Sequence, residues 1–260
     1  MRVLYPQNPL NSKTADDPYH EEYSQLLARG IPCSLFDFDA LNFNEFKPQP
    51  KPQLGERVLY RGWMLTPSGY AALVKHIQTC GAQTITSVEN YQRCHHLPGW
   101  YSLCKALTAK TRFFDPSTDI QSAAAGLGWP SFFVKDFVKS NTGDKGSIAR
   151  SPAEIPPILE QLIQYRGQLE GGIALRQVED YIPDSEQRHF ITNGQPHSPI
   201  SQVPDIVHKV AKLIQAPFYS VDTIQTTQGD LRIVELGDGQ VSDKKNWPLE
   251  KFIEMLLAIN

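Results

Sequence analysis

The chain has 260 residues, a formal net charge of −3, and 40% hydrophobic and 10% aromatic residues. That composition excludes a disordered chain and allows one large domain or two small ones. The charge gives no overall reason to expect nucleic acid or a membrane surface as a partner. The apolar run at Met1–Tyr5 is too short for a signal peptide, and no run is long enough to span a bilayer, so the expected location is the cytoplasm. The four cysteines (Cys33, Cys80, Cys94 and Cys104) are irregularly spaced, which argues against a disulfide framework. Cys94, His95, His96 and Cys104 could be imagined as a zinc set but lack the paired spacing of structural zinc, so ordinary half-buried residues are the better reading.

In chain order, Arg2 to Tyr5 predicts a strand ending at Pro6, and residues 7–18 a polar loop. His20 to Ala28 has helical spacing and stops before Gly30. Ile31 to Phe38 predicts a strand. Pro48, Pro50 and Pro52 mark a break over residues 44–54. Arg57 to Met64 returns to strand character. Thr66-Pro67 then reads as an N-cap and first helical residue of a helix reaching Cys80. Ala82 to Ser87 closes the series. Residues 1–95 thus read as a small Rossmann-like unit without a Gly-x-Gly turn, so no dinucleotide is assigned to it.

In the second half, Ser131 to Val138 predicts an apolar strand, followed by a Gly-containing loop over residues 140–147. Ser151 and Glu154 have capping-box spacing at the start of a helix. Ile173 to Val178 and His189 to Thr192 predict strands, and Pro204 to Gln215 an amphipathic helix. Phe218 to Thr226 and Asp230 to Leu236 form a hairpin across Gln228-Gly229. Trp247-Pro248 starts a last helix.

Four features in this half carry chemistry. Lys135 interrupts an apolar strand; a buried ammonium needs a partner such as phosphate, although an edge strand with the lysine in water reads equally well. In the loop, Gly143 and Gly146 let backbone N–H groups approach an anion, with Lys139 and Lys145 at the flanks; a flexible hairpin tip would read the same way. Glu179, Asp180 and Tyr181 end an apolar strand and lead to Glu186 and Arg188, which gives either an adenine and ribose surface with an arginine for phosphate or carboxylate, or a solvated turn. Asp222 and Glu235, with Asp238 close behind, interrupt apolar runs on the hairpin strands. Such carboxylates fit Mg²⁺, with salt bridges to Arg232 or Lys244 as the alternative.

In this order the features resemble the ATP-grasp superfamily. The approach Gly128-Trp129-Pro130 to Lys135 is similar to its nucleotide lysine strand, and residues 140–147 to its phosphate-covering loop. Glu179 to Ile182 resembles its adenine linker, Glu186 its ribose carboxylate, and Asp222 with Glu235 its pair of metal carboxylates. Val58 to Met64, Leu97 to Tyr101 and Glu235 to Ser242 resemble the clade named for one arginine and two lysines. Two positions depart from the family: Gly237 stands where an asparagine is usual, and Ser220 where many ligases carry arginine.

The resemblance implies an α/β (α+β) ATP-grasp fold, with a Rossmann-like pre-ATP-grasp domain at 1–97 and an ATP-grasp domain at 98–260. It implies ATP and Mg²⁺ as cofactors, with Lys135, Lys139, Lys145, Glu179, Tyr181 and Glu186 on the nucleotide and Asp222, Glu235 and Asp238 on the metal. Arg188, Lys139 and Arg61 are the expected catalytic residues, and Tyr60, Arg93 and Arg112 further candidates for the substrate pocket. The implied reaction is a ligation: a carboxylate is activated as an acylphosphate and attacked by an amine, the partners being a small molecule, peptide or protein. No nucleic acid or membrane partner is expected. An ATP-binding scaffold without turnover, or a kinase, are the competing readings.

Overall fold

The computed structural model of the protein describes residues 1–138, 140 and 146–259. In chain order the elements are β1 (Arg2–Asn8), β2 (Asn11–Ala15), α1 (Asp17–Ala28), β3 (Cys33–Phe36), α2 (Phe38–Leu41), β4 (Arg57–Tyr60), α3 (Pro67–Thr79), β5 (Gln83–Thr84), α4 (Val88–His95) and α5 (Leu97–Cys104). There follow β6 (Thr111–Phe114), α6 (Ile120–Ala125), β7 (Phe132–Asp136), β8 (Ile148–Ala149), α7 (Ile155–Arg166), β9 (Ile173–Gln177), β10 (Gln187–Thr192), β11 (Gln195–His197), α8 (Asp205–Leu213), β12 (Phe218–Gln225), β13 (Leu231–Asp238) and α9 (Leu249–Leu257). By compactness the chain divides into two units. One comprises Met1–Cys94, Arg188–Val221 and Gly237–Asn260; the other comprises His95–Gln187 and Asp222–Leu236. The segment 98–260 is therefore shared between the units, because β12 and β13 begin and end their hairpin in the first unit and carry its turn in the second.

In the first unit β3, β1, β4 and β5 run parallel, in register Val3↔Cys33 and Leu4↔Tyr60, and β2 pairs antiparallel with β1. Val3, Leu4 and Tyr5 are all buried, as expected of a parallel strand covered on both faces. One face packs against a cluster that includes Leu26, Phe252 and Leu256; the other packs against Tyr70, Leu73 and Ile77 of α3. α3 begins as its sequence dictates: the Thr66 side chain accepts from the Gly69 N–H and Pro67 opens the helix.

Two local expectations fail here. β1 does not stop at Pro6; Pro6 pairs with Phe36, and its carbonyl accepts from the Asp16 N–H, so the missing proline donor costs no bond. Residues 11–15 form β2 rather than loop, because the Asn8 carboxamide accepts from the N–H groups of Leu10 and Asn11 and turns the chain.

In the second unit β6, β9, β7 and β8 form an antiparallel sheet with Lys135 opposite Ala174 and Arg176 opposite Phe133. One face carries Phe132, Val134, Ile173 and Leu175 into an apolar cluster with Ile155, Ile158 and Leu159 of α7. Strand alternation puts Lys135 and Arg176 together on the other face. The Ser151–Glu154 capping box does not form. Residues 152–154 make a 3₁₀ turn, and the Glu154 carboxylate accepts from the Arg150 N–H instead. The β12–β13 hairpin turns where expected, with Gly229 at φ 93°, a left-handed conformation that suits glycine. Among the described residues no helix is long and apolar enough to cross a membrane.

Candidate functional site

Lys135 is 4% exposed, and its Nζ lies 3.5 Å from Oε1 of Glu235. Burial, and after it the charge of Glu235 and the nearby Arg176 guanidinium, set its titration; the net effect lowers its pKa, because removing an ammonium from water favours the neutral amine. Glu235 is the half-exposed partner, with 35% of its side chain accessible.

Arg176 is also buried, and burial lowers its pKa. Its Nη1 donates to the Val234 carbonyl at 2.6 Å and its Nη2 to Thr108 Oγ1 at 2.6 Å, while Nε has no hydrogen-bond partner among the described residues. Two buried cations thus share one sheet face beside the half-exposed Glu235 carboxylate. The sequence contained the signal for Arg176, since an arginine inside the run Ile173–Gln177 is as conspicuous as Lys135; sequence reasoning stopped at the residues after it.

The linker beyond β9 is held by charge. Arg232 donates to both carboxylate oxygens of Glu179 at 2.8 and 3.0 Å, and the Tyr181 hydroxyl donates to Glu179 at 2.9 Å. Burial works against the Glu179 carboxylate, but these bonds outweigh it and hold the pKa below the usual value. Burial and the same bond raise the Tyr181 phenol to about 12. Glu179 is therefore engaged with Arg232. Tyr181 bridges Thr226 of the hairpin, which fixes the strand of the linker.

At the end of β7, Asp136 accepts from the Val138 and Glu170 N–H groups and from Arg166 Nη1. Glu170 in turn bonds His96 at 3.2 Å. These contacts fix the end of the lysine strand. Lys139 and Lys145, with most of the predicted phosphate loop, lie outside the described residues.

The remaining expected residues are placed as follows. Glu186 is exposed just before β10. Asp222 is buried in β12. Arg188 is tied to Asp243, donating to its carbonyl at 3.2 Å and its carboxylate at 2.9 Å. Arg93 pairs with Glu89, Arg112 is exposed on β6, and the buried Tyr60 hydroxyl donates to the Trp63 carbonyl.

Arg61 and Asp238 both lie buried in the first unit. Arg61 is 1% exposed, with Nε and Nη2 each 2.9 Å from the Glu22 carboxylate and Nη1 donating to the carbonyls of Gly239, Gln240 and Ser242. Each guanidinium nitrogen has a partner, so the group braces the core. Asp238 caps the 3₁₀ turn at residues 239–241 through the Gln240 N–H, and its Oδ1 also accepts from Gln240 Nε2. Burial raises its carboxyl to about 7, against the Gln240 bonds that lower it.

Among the described residues no group of three or more His, Cys, Asp or Glu side chains could hold a metal, and none of the four cysteines forms a disulfide. The accessible Glu235 and the adjacent cations fit an ion held chiefly by phosphate oxygens and water, with one or two protein carboxylates, as Mg²⁺ is in nucleotide sites. The two family departures meet in space. Ser220 and Ser242 hydroxyls lie 2.8 Å apart, and a Cβ on Gly237 would come within 2.9 Å of each. A side chain at 237 would displace that pair, so glycine at 237 and serine at 220 form one packing solution.

A sheet with its lysine strand, an ordered linker and a carboxylate hairpin define an ATP-grasp architecture. Residues 126–256 match the model of the ATP-grasp domain, R2K clade family 3, and the chain belongs to that family. Among solved structures it is similar to D-cycloserine synthetase DcsG, with 14% identity, TM-score 0.64, and coverage of 98% of this chain and 100% of that one. It is similar also to D-alanine–D-alanine ligase from Bacillus anthracis complexed with ATP, with 11% identity, TM-score 0.61, and coverage of 98% and 92%. The macrocyclase MdnC from Microcystis aeruginosa MRC, bound with precursor peptide MdnA, matches with 13% identity, TM-score 0.59, and coverage of 99% of each chain. No curated protein matches the sequence.

Proposed function

We propose that the protein is an ATP- and Mg²⁺-dependent ligase that activates a carboxylate as an acylphosphate for attack by an amine. The observation that carries this reading is the pair of buried cations, Lys135 and Arg176, on the sheet face away from the apolar cluster, where the nearby carboxylates of Glu235, Asp136 and Glu179 do not outweigh the cost of burying them. A triphosphate supplies the missing negative charge. In this reading residues 1–97 are the Rossmann-like pre-ATP-grasp part, and Glu179 and Tyr181 hold the linker beside the adenine while Glu186 meets the ribose.

Lys135 offsets charge on the phosphate oxygens; its pKa, lowered by burial, rises again when an anion arrives. Arg176 keeps β9, Thr108 and β13 in register beneath the phosphates. Asp222 and Glu235 would hold the metal, which supplies charge neutralisation and alignment of the triphosphate when bound. In the reaction a carboxylate oxygen bonds the γ-phosphorus as the β–γ bridging P–O bond breaks and ADP leaves. The amine nitrogen then bonds the carbonyl carbon, the C–O bond breaks to release phosphate, and the amine proton passes to solvent or phosphate. Positioning and electrostatics suffice, with no protein nucleophile.

The test is the melting midpoint with and without Mg·ATP for wild type and Glu235→Gln, followed by hydroxylamine trapping with a panel of carboxylates. A midpoint rise that shrinks in the variant, and a hydroxamate product, are expected. A kinase gives no hydroxamate, a non-catalytic nucleotide binder gives the rise without ADP, and absence of any rise overturns the reading.

A further inference from the structure

The first unit contains a cleft of about 480 Å³, and of the residues expected at a substrate pocket Arg61 lines it. Its apolar wall is made by Tyr19, Trp63 and Met64, and Glu21, Lys244 and Lys245 also line it. The Tyr19 and Trp63 rings meet edge-on at 5.5 Å, and Trp63 is anchored by its Nε1–H to Asp16 at 2.9 Å, so the wall is fixed although Trp63 is 41% exposed. The Glu22–Arg61 pair forms a rigid base whose charges cancel.

The lysine side of the cleft is preorganised. Asp243 receives Arg188 on its carbonyl and carboxylate, and its carboxylate accepts from the Lys245 N–H at 3.1 Å. The turn so formed holds Lys245 at φ 44°, a left-handed backbone that a lysine adopts only under constraint. Lys244, half-buried, has no ion pair through its ammonium among the described residues. The Tyr19 hydroxyl likewise has no hydrogen bond among them, and burial raises its pKa to about 12, so it stays protonated as a donor.

We infer that this cleft binds an α-carboxylate attached to a large apolar side chain, with the carboxylate on Lys244 and Tyr19 and the side chain against Trp63 and Met64. The volume accommodates one such residue, and the constrained lysine turn and fixed aromatic wall lower the ordering cost of binding. The chemistry is shared by a free amino acid and by the C-terminal residue of a peptide. Glu21 at the rim separates them, because only the free amino acid brings an ammonium for it. The role of the ligand as the acid to be activated rests on the ligase reading; its binding does not.

The experiment is isothermal titration of the full chain with phenylalanine, N-acetylphenylalanine and N-acetylphenylalaninamide, for wild type and Lys244→Gln. Saturable binding of an acid is expected, at least tenfold weaker for the amide and at least fivefold weaker in Lys244→Gln at unchanged melting temperature. Tighter binding of free phenylalanine identifies an amino-acid site, and equal binding of the two acids a peptide C-terminus; both support the cleft. No saturable heat with either acid, equal binding of acid and amide, or an unaffected Lys244→Gln overturns it. The Mg·ATP melting shift of the same preparation is read separately, so a silent cleft beside an intact shift condemns this inference alone.

Discussion

Two buried ionic groups of this chain look alike in sequence and differ in their accounts. Arg61 in the first unit has every donor nitrogen matched by the Glu22 carboxylate and three carbonyls, and its guanidinium lies 5.1 Å from the centre of the Phe252 ring. Lys135 in the second unit reaches one carboxylate oxygen at the limit of a hydrogen bond, with buried Arg176 on the same face adding like charge. A buried charge whose donors are all matched is framework. A buried charge left short of partners is a place prepared for something the chain does not contain. The titrations run in parallel: burial opposes both cations, yet Glu22 outweighs it and raises the Arg61 pKa, whereas Glu235 does not outweigh it at Lys135.

The largest effect expected from this contrast is on stability. Arg61→Met leaves the Glu22 carboxylate buried with only the Tyr5 hydroxyl as donor, and breaking such a pair costs about 3–5 kcal/mol. Urea denaturation should show that loss, and Glu22→Leu combined with Arg61→Met should recover most of it, because the second substitution removes the stranded charge. A loss in Arg61→Met below about 1 kcal/mol would place the arginine outside the framework.

Asp238 sharpens the same contrast through pH. Its carboxyl is raised from 3.8 to about 7 by burial, and its Oδ2 has no hydrogen-bond partner among the described residues. The folded state therefore holds this proton more tightly than the unfolded state, so the group's contribution to stability is complete below about pH 4 and is lost as pH rises to about 7. A shift of that size corresponds to roughly 4 kcal/mol between the two ends of the window. Asp238→Asn keeps an oxygen for Gln240 and carries no charge. Its denaturation midpoints should fall less than those of wild type between pH 5 and pH 8, and parallel profiles would show that Asp238 does not titrate there.

Much of the second unit was legible because its signals are local. Lys135 breaks an apolar strand, Gly229 sits where a hairpin must turn, and the carboxylates interrupt alternating strands. What was not legible depends on partners far along the chain. Nothing near Arg61 announces that Glu22 and the carbonyls of residues 239–242 will surround it, so an arginine in a family-like segment read as catalytic. The setting of Asp238 was hidden in the same way: its proximity to Glu235 in sequence says nothing of Gln240 folding back onto its oxygen. α4, α5, β6 and α6 drew no reading because each is short, from four to eight residues. The coupling of Gly237 with Ser220 is a packing fact, visible only when Ser242 stands beside both.

The smallest stability effect belongs to Lys135, and it is the most informative. Lys135→Met removes an ammonium that burial already disfavours and leaves Glu235, which is accessible enough to be solvated. The unliganded variant should unfold within about 1 kcal/mol of wild type, since a flexible apolar side chain fills the same slot. Under Mg·ATP at a hundred times the wild-type dissociation constant, wild type should gain about 2.7 kcal/mol, and the variant should lose most of that gain. The two numbers together separate ligand site from framework in a way neither does alone. A large unliganded loss with the gain preserved would make Lys135 a second Arg61, and the sheet face it shares with Arg176 would then be a braced interior with no place for a triphosphate.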